Sequence, residues 1–379
     1  MKATYHILHT EWSNGWGGQE IRILNECLGM RARGHLVELA GVAKGQLAQK
    51  AKAQGLTFHH VEMRGPWDVL ALNNLMNLLR RHSFEIIHTH SSVDSWLGGM
   101  AGRLLGRGVV RTRHLSVPVS RHPLNLVYRL PQAVITTGQG ICQHLVNDYG
   151  LPEERVISIP TGIDPALFYP QSPDPILQQE LGLDPQAPVI ATVAVLRSWK
   201  RHDLFCQMAA QVLQKHPDAR FLIVGDGPGR QRVEGYLRDM NLESAVIMTG
   251  HRDDIPRILS LCTICILASD RAEGVSQAIL QQLACGKAVI AAAAGSSPEI
   301  IIPEKTGLLV EPGKLAPLTQ AVLRLLENPR LGQTCGQEGR QLVLANYTLD
   351  CMLDATEQVY AKVIPMTKFR SSFQANPHA

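Results

Sequence analysis

The chain has 379 residues, 45% of them hydrophobic and 18% charged, and a formal net charge of +4. That length holds two ordinary domains, and no apolar run approaches the ~18 residues that a membrane-spanning helix needs. The start, Met1 to His6, lacks the apolar core of a secretory signal, so a cytoplasmic protein is expected.

The charge is unevenly placed. Residues 1–165 carry 17 Lys/Arg against 12 Asp/Glu, and residues 166–379 carry 20 against 21. The excess is densest from Arg103 through Arg107, Arg111, Arg113 and Arg121 to Arg129. A solvated basic face and a docking face for an anionic acceptor or membrane surface are both open readings; no nucleic-acid partner is expected. The eight cysteines fall mostly in apolar patterns. Cys262 and Cys265 have half-site spacing, but no second pair of zinc-ribbon spacing exists, so core thiols are expected and no metal.

In chain order, Tyr5–His9 reads as a strand, followed by the glycine loop Gly15-Trp16-Gly17-Gly18. Gln19 to Met30 reads as a helix with Ile21, Leu24 and Leu28 along one face, and Gly34 ends it. Further strands are expected at 36–40, 58–61, 85–88, 109–112, 133–136 and 156–159, with helical patterns between most of them. Such alternation predicts a doubly wound parallel sheet. The glycine loop fits a dinucleotide fingerprint lacking its third glycine, with Glu38 taken as the acidic residue ending the next strand. His88 and His90 lie just past another strand end; His88 reads as a core histidine.

Five prolines between 160 and 176 oppose any regular element and mark a linker. Beyond it the alternation repeats. Strands are expected at 188–195, 220–224, 245–249, 263–267, 287–292 and 307–310, and helices at 201–215, 229–240, 254–261, 275–285 and 315–326. A last helical pattern spans Cys351 to Val363, with a mobile tail from Lys368. The turn Gly225-Asp226-Gly227 reads as structural, and Pro298 near the first position of a helix.

The chemistry of the second half concentrates between Ala268 and Ile290. Glu273 and the backbone N–H groups of Gly274, Val275 and Ser276 gather where a helix is expected to begin beyond a strand's carboxyl end. Unpaired donors and the helix dipole favour phosphate there, and Gly274 lets a diphosphate approach closely. A carboxylate would repel phosphate, so Glu273 is read as reaching hydroxyls of an attached sugar. Arg197 and Lys200 follow another strand end and are placed for a diphosphate.

The segment from Glu273 resembles the Glu-x7-Glu signature of the family 4 retaining glycosyltransferases, whose fold is GT-B. The resemblance implies an α/β protein of two Rossmann-like doubly wound parallel-sheet domains facing across a cleft. These would be residues 1–165 for the acceptor and 166–349 for the nucleotide sugar, with a helix at 350–366 returning to the first. By that resemblance Glu273 contacts the donor sugar, and Gln281 stands where the family has a second Glu for the ribose. Gly17-Gly18-Gln19-Glu20 resembles the loop facing the donor diphosphate, and Lys200 the clamp that neutralises it. The clamp's usual arginine position is Val195, with Arg197 a substitute. Gly250-His251-Arg252 resembles the loop bracketing the base; His90 is implied near the reaction centre, with His114 and Arg113 as weaker acceptor-side residues.

Catalytic residues implied are therefore Glu273, His90 and Lys200. Donor-binding residues are Gly17, Gly18, Arg197, Lys200, Arg252, Glu273, Gly274, Val275, Ser276 and Gln281. The activity implied is transfer of a sugar, with retention and without metal or cofactor, from a nucleotide donor to a saccharide or lipid-linked saccharide hydroxyl. Cell-envelope polysaccharide assembly, peripheral to the cytoplasmic membrane, is the expected setting. A sugar-nucleotide epimerase of this architecture, or a silent nucleotide-sugar-binding scaffold, remains open.

Overall fold

The computed structural model describes residues 3–114, 126–271 and 273–374, the last ten of these by backbone alone. The chain divides into two compact units, Met1–Gly162 with Leu349–Ala379, and Ile163–Thr348. Each is a parallel sheet with helices on its faces.

In the first unit the strands are β1 (His6–Glu11), β2 (Leu36–Gly41), β3 (Thr57–His60), β4 (Ile86–Thr89), β5 (Gly108–Arg113), β6 (Ala133–Thr136) and β7 (Val156–Ser158). Their order is β3-β2-β1-β4-β5-β6-β7. Helices α1 (Gly18–Ala32), α2 (Gln46–Ala53), α3 (Val69–Arg81), α4 (Ser92–Leu104) and α5 (Gln139–Gln143) connect them. Two of these starts are well capped. Asp68 accepts a bond from Ala71 N at α3, and Ser91 and Asp94 form a reciprocal capping box at α4.

The buried face of α1 is Ile23, Leu24, Cys27 and Met30, rotated from the expected Ile21–Leu24–Leu28 stripe, and it takes Arg22 and Glu26 inside with it. Glu38 is mid-strand in β2, whose end is Gly41. Its carboxylate is occupied by His6 (3.2 Å) and His59. That placement removes the acidic residue of the dinucleotide reading.

The second unit holds α6 (Pro175–Glu180), β8 (Val189–Val193), α7 (His202–Leu213), β9 (Arg220–Val224), α8 (Arg230–Asp239), β10 (Val246–Gly250), α9 (Ile255–Leu261), β11 (Ile264–Leu267), α10 (Gln277–Ala284), β12 (Ala288–Ala292), α11 (Ser297–Ile300), β13 (Leu308–Val310), α12 (Leu315–Glu327) and α13 (Pro329–Asn346). The strand order is β10-β9-β8-β11-β12-β13. Apolar side chains cover both faces of this sheet, in two clusters. The strands therefore read as continuous apolar runs. Cys262 and Cys265 are buried thiols within one of these clusters.

Three differences from the sequence reading have physical reasons. Helix α6 begins inside the proline-rich segment, because Pro175 sits at its first turn, where its missing N–H is harmless, and Asp174 caps it. The final helix, α14 (Leu349–Gln374), runs past the expected tail boundary at Lys368. Helix α13 had no counterpart in the expected elements.

Glycines at 332, 336 and 339 depress the helical propensity of α13, yet they let it lie against the sheet. A Cβ on Gly336 would stand 2.1 Å from the Gly286 carbonyl oxygen, and one on Gly339 2.5 Å from Leu283 Cδ2. Backbone cannot yield as a flexible side chain does. Gly336→Ala is expected to destabilise the second unit by ~3 kcal/mol, read as a lowered urea midpoint at unchanged slope.

Helix α14 completes the first unit. Met352, Leu353, Val359, Tyr360 and Val363 belong to the core formed by Ile7, Ile23, Cys27, Ile86 and Val110. No helix among the described residues is long and apolar enough to cross a membrane.

Candidate active site

In an open α/β sheet, ligands gather beyond the carboxyl ends of the strands where the order reverses. In the second unit that point lies between β8 and β11, which are neighbours. The loops leaving these two strands carry Arg197–Lys200 and Asp270–Ser276. Topology thus gathers residues 74 apart in sequence.

Glu273 is the centre of this group. Its Oε2 accepts from Lys200 Nζ at 2.6 Å, and its Oε1 from the Trp199 indole N–H at 2.9 Å. Its carbonyl accepts from Ser296 N, tying the loop to the turn before α11. Lys200 and Glu273 are partly buried. The guanidinium of Arg197 lies 5.1 Å from the Trp199 ring centroid and that of Arg271 4.5 Å from it, so both cations rest on one aromatic platform. Trp199 and Arg271 were not singled out from the sequence. An aromatic and a cation in two distant loops carry no spacing signal until the sheet brings them together.

The helix starts later than expected. Gly274 and Val275 are buried loop residues, Val275 within the apolar cluster, and α10 opens at Gln277 with Ser276 as its N-cap. Ser276 makes no side-chain capping bond, and the first turn carries no acidic residue. Its N–H groups are thereby left for an external anion. Gln281 is partly buried one turn further on. Gly286 ends the helix in the left-handed region, φ +69°.

Arg252 stands apart from this group. It is engaged by Asp254 (2.7 and 2.6 Å) and Glu180 (2.8 Å). The guanidinium placed at the base by the sequence reading is committed to a surface ion-pair network.

In the first unit the order reverses between β1 and β4. The glycine loop ends there, Gly17 as the N-cap of α1 and Gly18 its first residue. Beside it Glu11 accepts from Ser13 N (2.6 Å), Gln19 Nε2 (2.6 Å) and the Ser91 hydroxyl. Burial, and then nearby Asp94, push the Glu11 carboxyl up to about 8.

His90 is buried, and both its ring nitrogens face other histidines. Nε2 lies 3.0 Å from His9 Nδ1, and Nδ1 3.2 Å from His114 Nε2. His88 is the core histidine expected, held by Tyr360 (2.7 Å) and Thr112 (2.7 Å). Ligand nitrogens of His9, His88 and His90 come within 4.8 Å of one another. Yet His88 spends both nitrogens on hydroxyls and stacks on His90, with centroids 4.5 Å apart, so the three do not converge as ligands.

Burial lowers the pKa of His9 to about 3, and those of His90 and His114 well below the usual value. A folded value below the unfolded one gives stability that is complete above ~6.5 and lost as pH falls towards 3. His9 alone implies a loss of about 2 kcal/mol between pH 7 and pH 5. Urea unfolding at those two pH values measures it.

The basic stretch is not one open face. Arg111 is buried and lies 4.1 Å from the Tyr128 ring centroid, and Arg113 is partly buried on the same ring. Burial lowers both to about 10. Arg121 lies outside the described residues.

Comparison with known proteins agrees with this architecture. Residues 16–167 match the model "Glycosyltransferase Family 4", and residues 174–342 the model "Glycosyl transferases group 1". The chain is 27% identical over 312 residues to the Escherichia coli UDP-Gal:alpha-D-GlcNAc-diphosphoundecaprenol alpha-1,3-galactosyltransferase, covering 78% of this chain and 80% of that protein. It is 23% identical over 310 residues to N-acetyl-alpha-D-glucosaminyl L-malate synthase of Bacillus anthracis, covering 79% and 80%. Among solved structures, a glycosyltransferase of Rickettsia africae superposes with TM-score 0.86 at 21% identity, over 95% of this chain and 99% of that one. Anabaena HepE in complex with UDP-glucose does so with TM-score 0.84 at 19% identity, over 94% and 100%. The chain belongs to the group 1 glycosyltransferases and has their GT-B fold.

Proposed function

We propose that the protein moves a sugar from a nucleotide-sugar donor to a hydroxyl acceptor with retention of anomeric configuration. The observation that carries this reading is the Trp199–Lys200–Glu273 group beside the uncapped start of α10, at the switch point of the second sheet. Negative charge builds on the diphosphate as it leaves. Lys200, Arg197, Arg271 and the first-turn N–H groups of α10 are fixed positive groups that meet it, each worth ~3 kcal/mol in the transition state. Glu273, anchored by Lys200 and Trp199, is left to orient sugar hydroxyls. No resident metal is needed in this arrangement, and turnover is expected to survive EDTA.

The HepE complexes with UDP and UDP-glucose support a nucleotide-sugar donor, and the name of the E. coli relative supports a lipid-linked saccharide acceptor in envelope assembly. An apolar surface at the start of α3, with Trp67, Val69 and Leu70 each more than 70% exposed, suits an enzyme lying on the cytoplasmic membrane surface. A panel of nucleotide sugars, read by thermal stabilisation and then by product formation, tests the proposal. Stabilisation by one donor is expected; none across the panel overturns it.

Gln281 is proposed to meet the ribose hydroxyls through its amide oxygen. A carboxylate accepts a stronger bond by ~1 kcal/mol. Gln281→Glu should therefore tighten the donor up to about tenfold, measured by calorimetric titration, with turnover nearly unchanged.

A further inference from the structure

The histidines around His90 are linked in one series of hydrogen-bond contacts, His9–His90–His114, that begins at Tyr360 and Glu26. Starting at its buried end, Glu26 is fully buried and accepts from Tyr360 (3.3 Å), with His88 Nδ1 3.2 Å from the same oxygen. Burial opposes the Glu26 charge, but His88 and Arg22 outweigh it and hold the carboxyl below its usual range. Glu26 is therefore an anion. A ring lone pair 3.2 Å from a carboxylate would be repelled, so His88 Nδ1 carries a proton.

The Tyr360 hydroxyl has one proton and two free acceptors to choose from, Glu26 Oε1 at 3.3 Å and His9 Nε2 at 3.4 Å. The carboxylate is the stronger acceptor. His9 Nε2 must then be the donor in its own contact with Tyr360. His9 is neutral, so its Nδ1 is a lone pair and the proton of that contact belongs to His90 Nε2. By the same step His90 Nδ1 is a lone pair and His114 Nε2 carries the proton between them. Every choice follows from the first.

We propose that Tyr360, on the C-terminal helix, sets the tautomer of three histidines in series and so presents His114 Nδ1 as a hydrogen-bond acceptor for the hydroxyl that receives the sugar. His114 follows β5 at the carboxyl edge of the sheet, is partly exposed, and its Nδ1 has no hydrogen-bond partner among the described residues. His90, enclosed by His9 and His114, acts through His114 as a positioning residue. Burial first, and then the neighbouring His88 and Arg22, disfavour a positive charge on His90 and His114, which keeps both rings neutral. The role given to the hydroxyl rests on the transfer reading above; the tautomers do not.

Nitrogen-15 correlation spectra of the histidine-labelled full chain test the proposal without any substrate. In the unmodified protein, His9, His90 and His114 should each show a protonated Nε2 and an unprotonated Nδ1. Tyr360→Phe removes the hydroxyl that imposes the direction, and His114 should then show both tautomers. A proton on Nδ1 of His114 in the unmodified protein overturns the proposal, even if the variant does not fold. So does an unchanged spectrum in a folded Tyr360→Phe. With the donor found in the panel and an acceptor that gives product with it, the variant should raise KM for the acceptor about tenfold and leave KM for the donor unchanged. A purely structural loss would change both. If no donor is found but the tautomers are as stated, it is the transfer reading that fails and the chain that stands.

Discussion

Glu273→Gln is expected to lower kcat by a factor of about 100 to 1000, with donor affinity changed less than about threefold. Glutamine keeps an oxygen for the Trp199 indole, 2.9 Å away in the native protein. It then offers an amide N–H to Lys200, where the carboxylate accepted at 2.6 Å. Two donors face each other, Lys200 swings away, and both the anchor of residue 273 and the position of the cation are lost. Those interactions matter most when charge develops, so the loss falls on turnover more than on binding. Glu273 is partly exposed, and folding should change by less than ~1 kcal/mol. Steady-state kinetics beside a melting curve separates the two effects. A variant with native turnover would remove Glu273 from the reaction.

Glu26→Ala should cost the first unit about 3–5 kcal/mol, a large share of a typical stability of 5–15 kcal/mol. Arg22 and Glu26 are both fully buried, with Nε and Oε2 3.6 Å apart. Arg22 donates through one nitrogen to the Ile159 carbonyl at 2.7 Å, while its Nε and second terminal nitrogen have no hydrogen-bond partner. Glu26 thus supplies the charge that makes this buried guanidinium tolerable. Removing it leaves a cation in a dry interior, and it also withdraws the acceptor shared by Tyr360 and His88. Denaturant unfolding should show an early transition for the first unit and an unchanged one for the second. A single native-like transition would show that water reaches Arg22.

Much of this was legible in the chain because it depends on neighbours in sequence. Alternating apolar runs gave both sheets, Gly286 the stop of α10, and Pro298 the start of α11. Glu273 and Lys200 were identified by their places after strand ends. What escaped is spatial. Trp199 and Arg271 acquire meaning only when β8 and β11 lie side by side. His9 looked like one more residue of a strand, although His90 meets it across 81 positions. Arg22 and Glu26 lie outside the Ile21–Leu24–Leu28 stripe read from the sequence, yet both are fully buried. Helix α13 was hidden by its glycines, whose value lies in what they allow to approach.

The route of the chain has a consequence for how it is made. Residues 163–348 are continuous, and that unit can fold as soon as it leaves the ribosome. The first unit begins to emerge before it and yet cannot close, because Met352, Leu353, Val359, Tyr360 and Val363 of its core are translated only after residues 163–348. Its apolar surface waits through the synthesis of residues 163–348, which at ~5–20 residues per second is about 10–40 s. The usual vectorial order is thereby inverted, and the nascent first unit is the species a chaperone would have to shield.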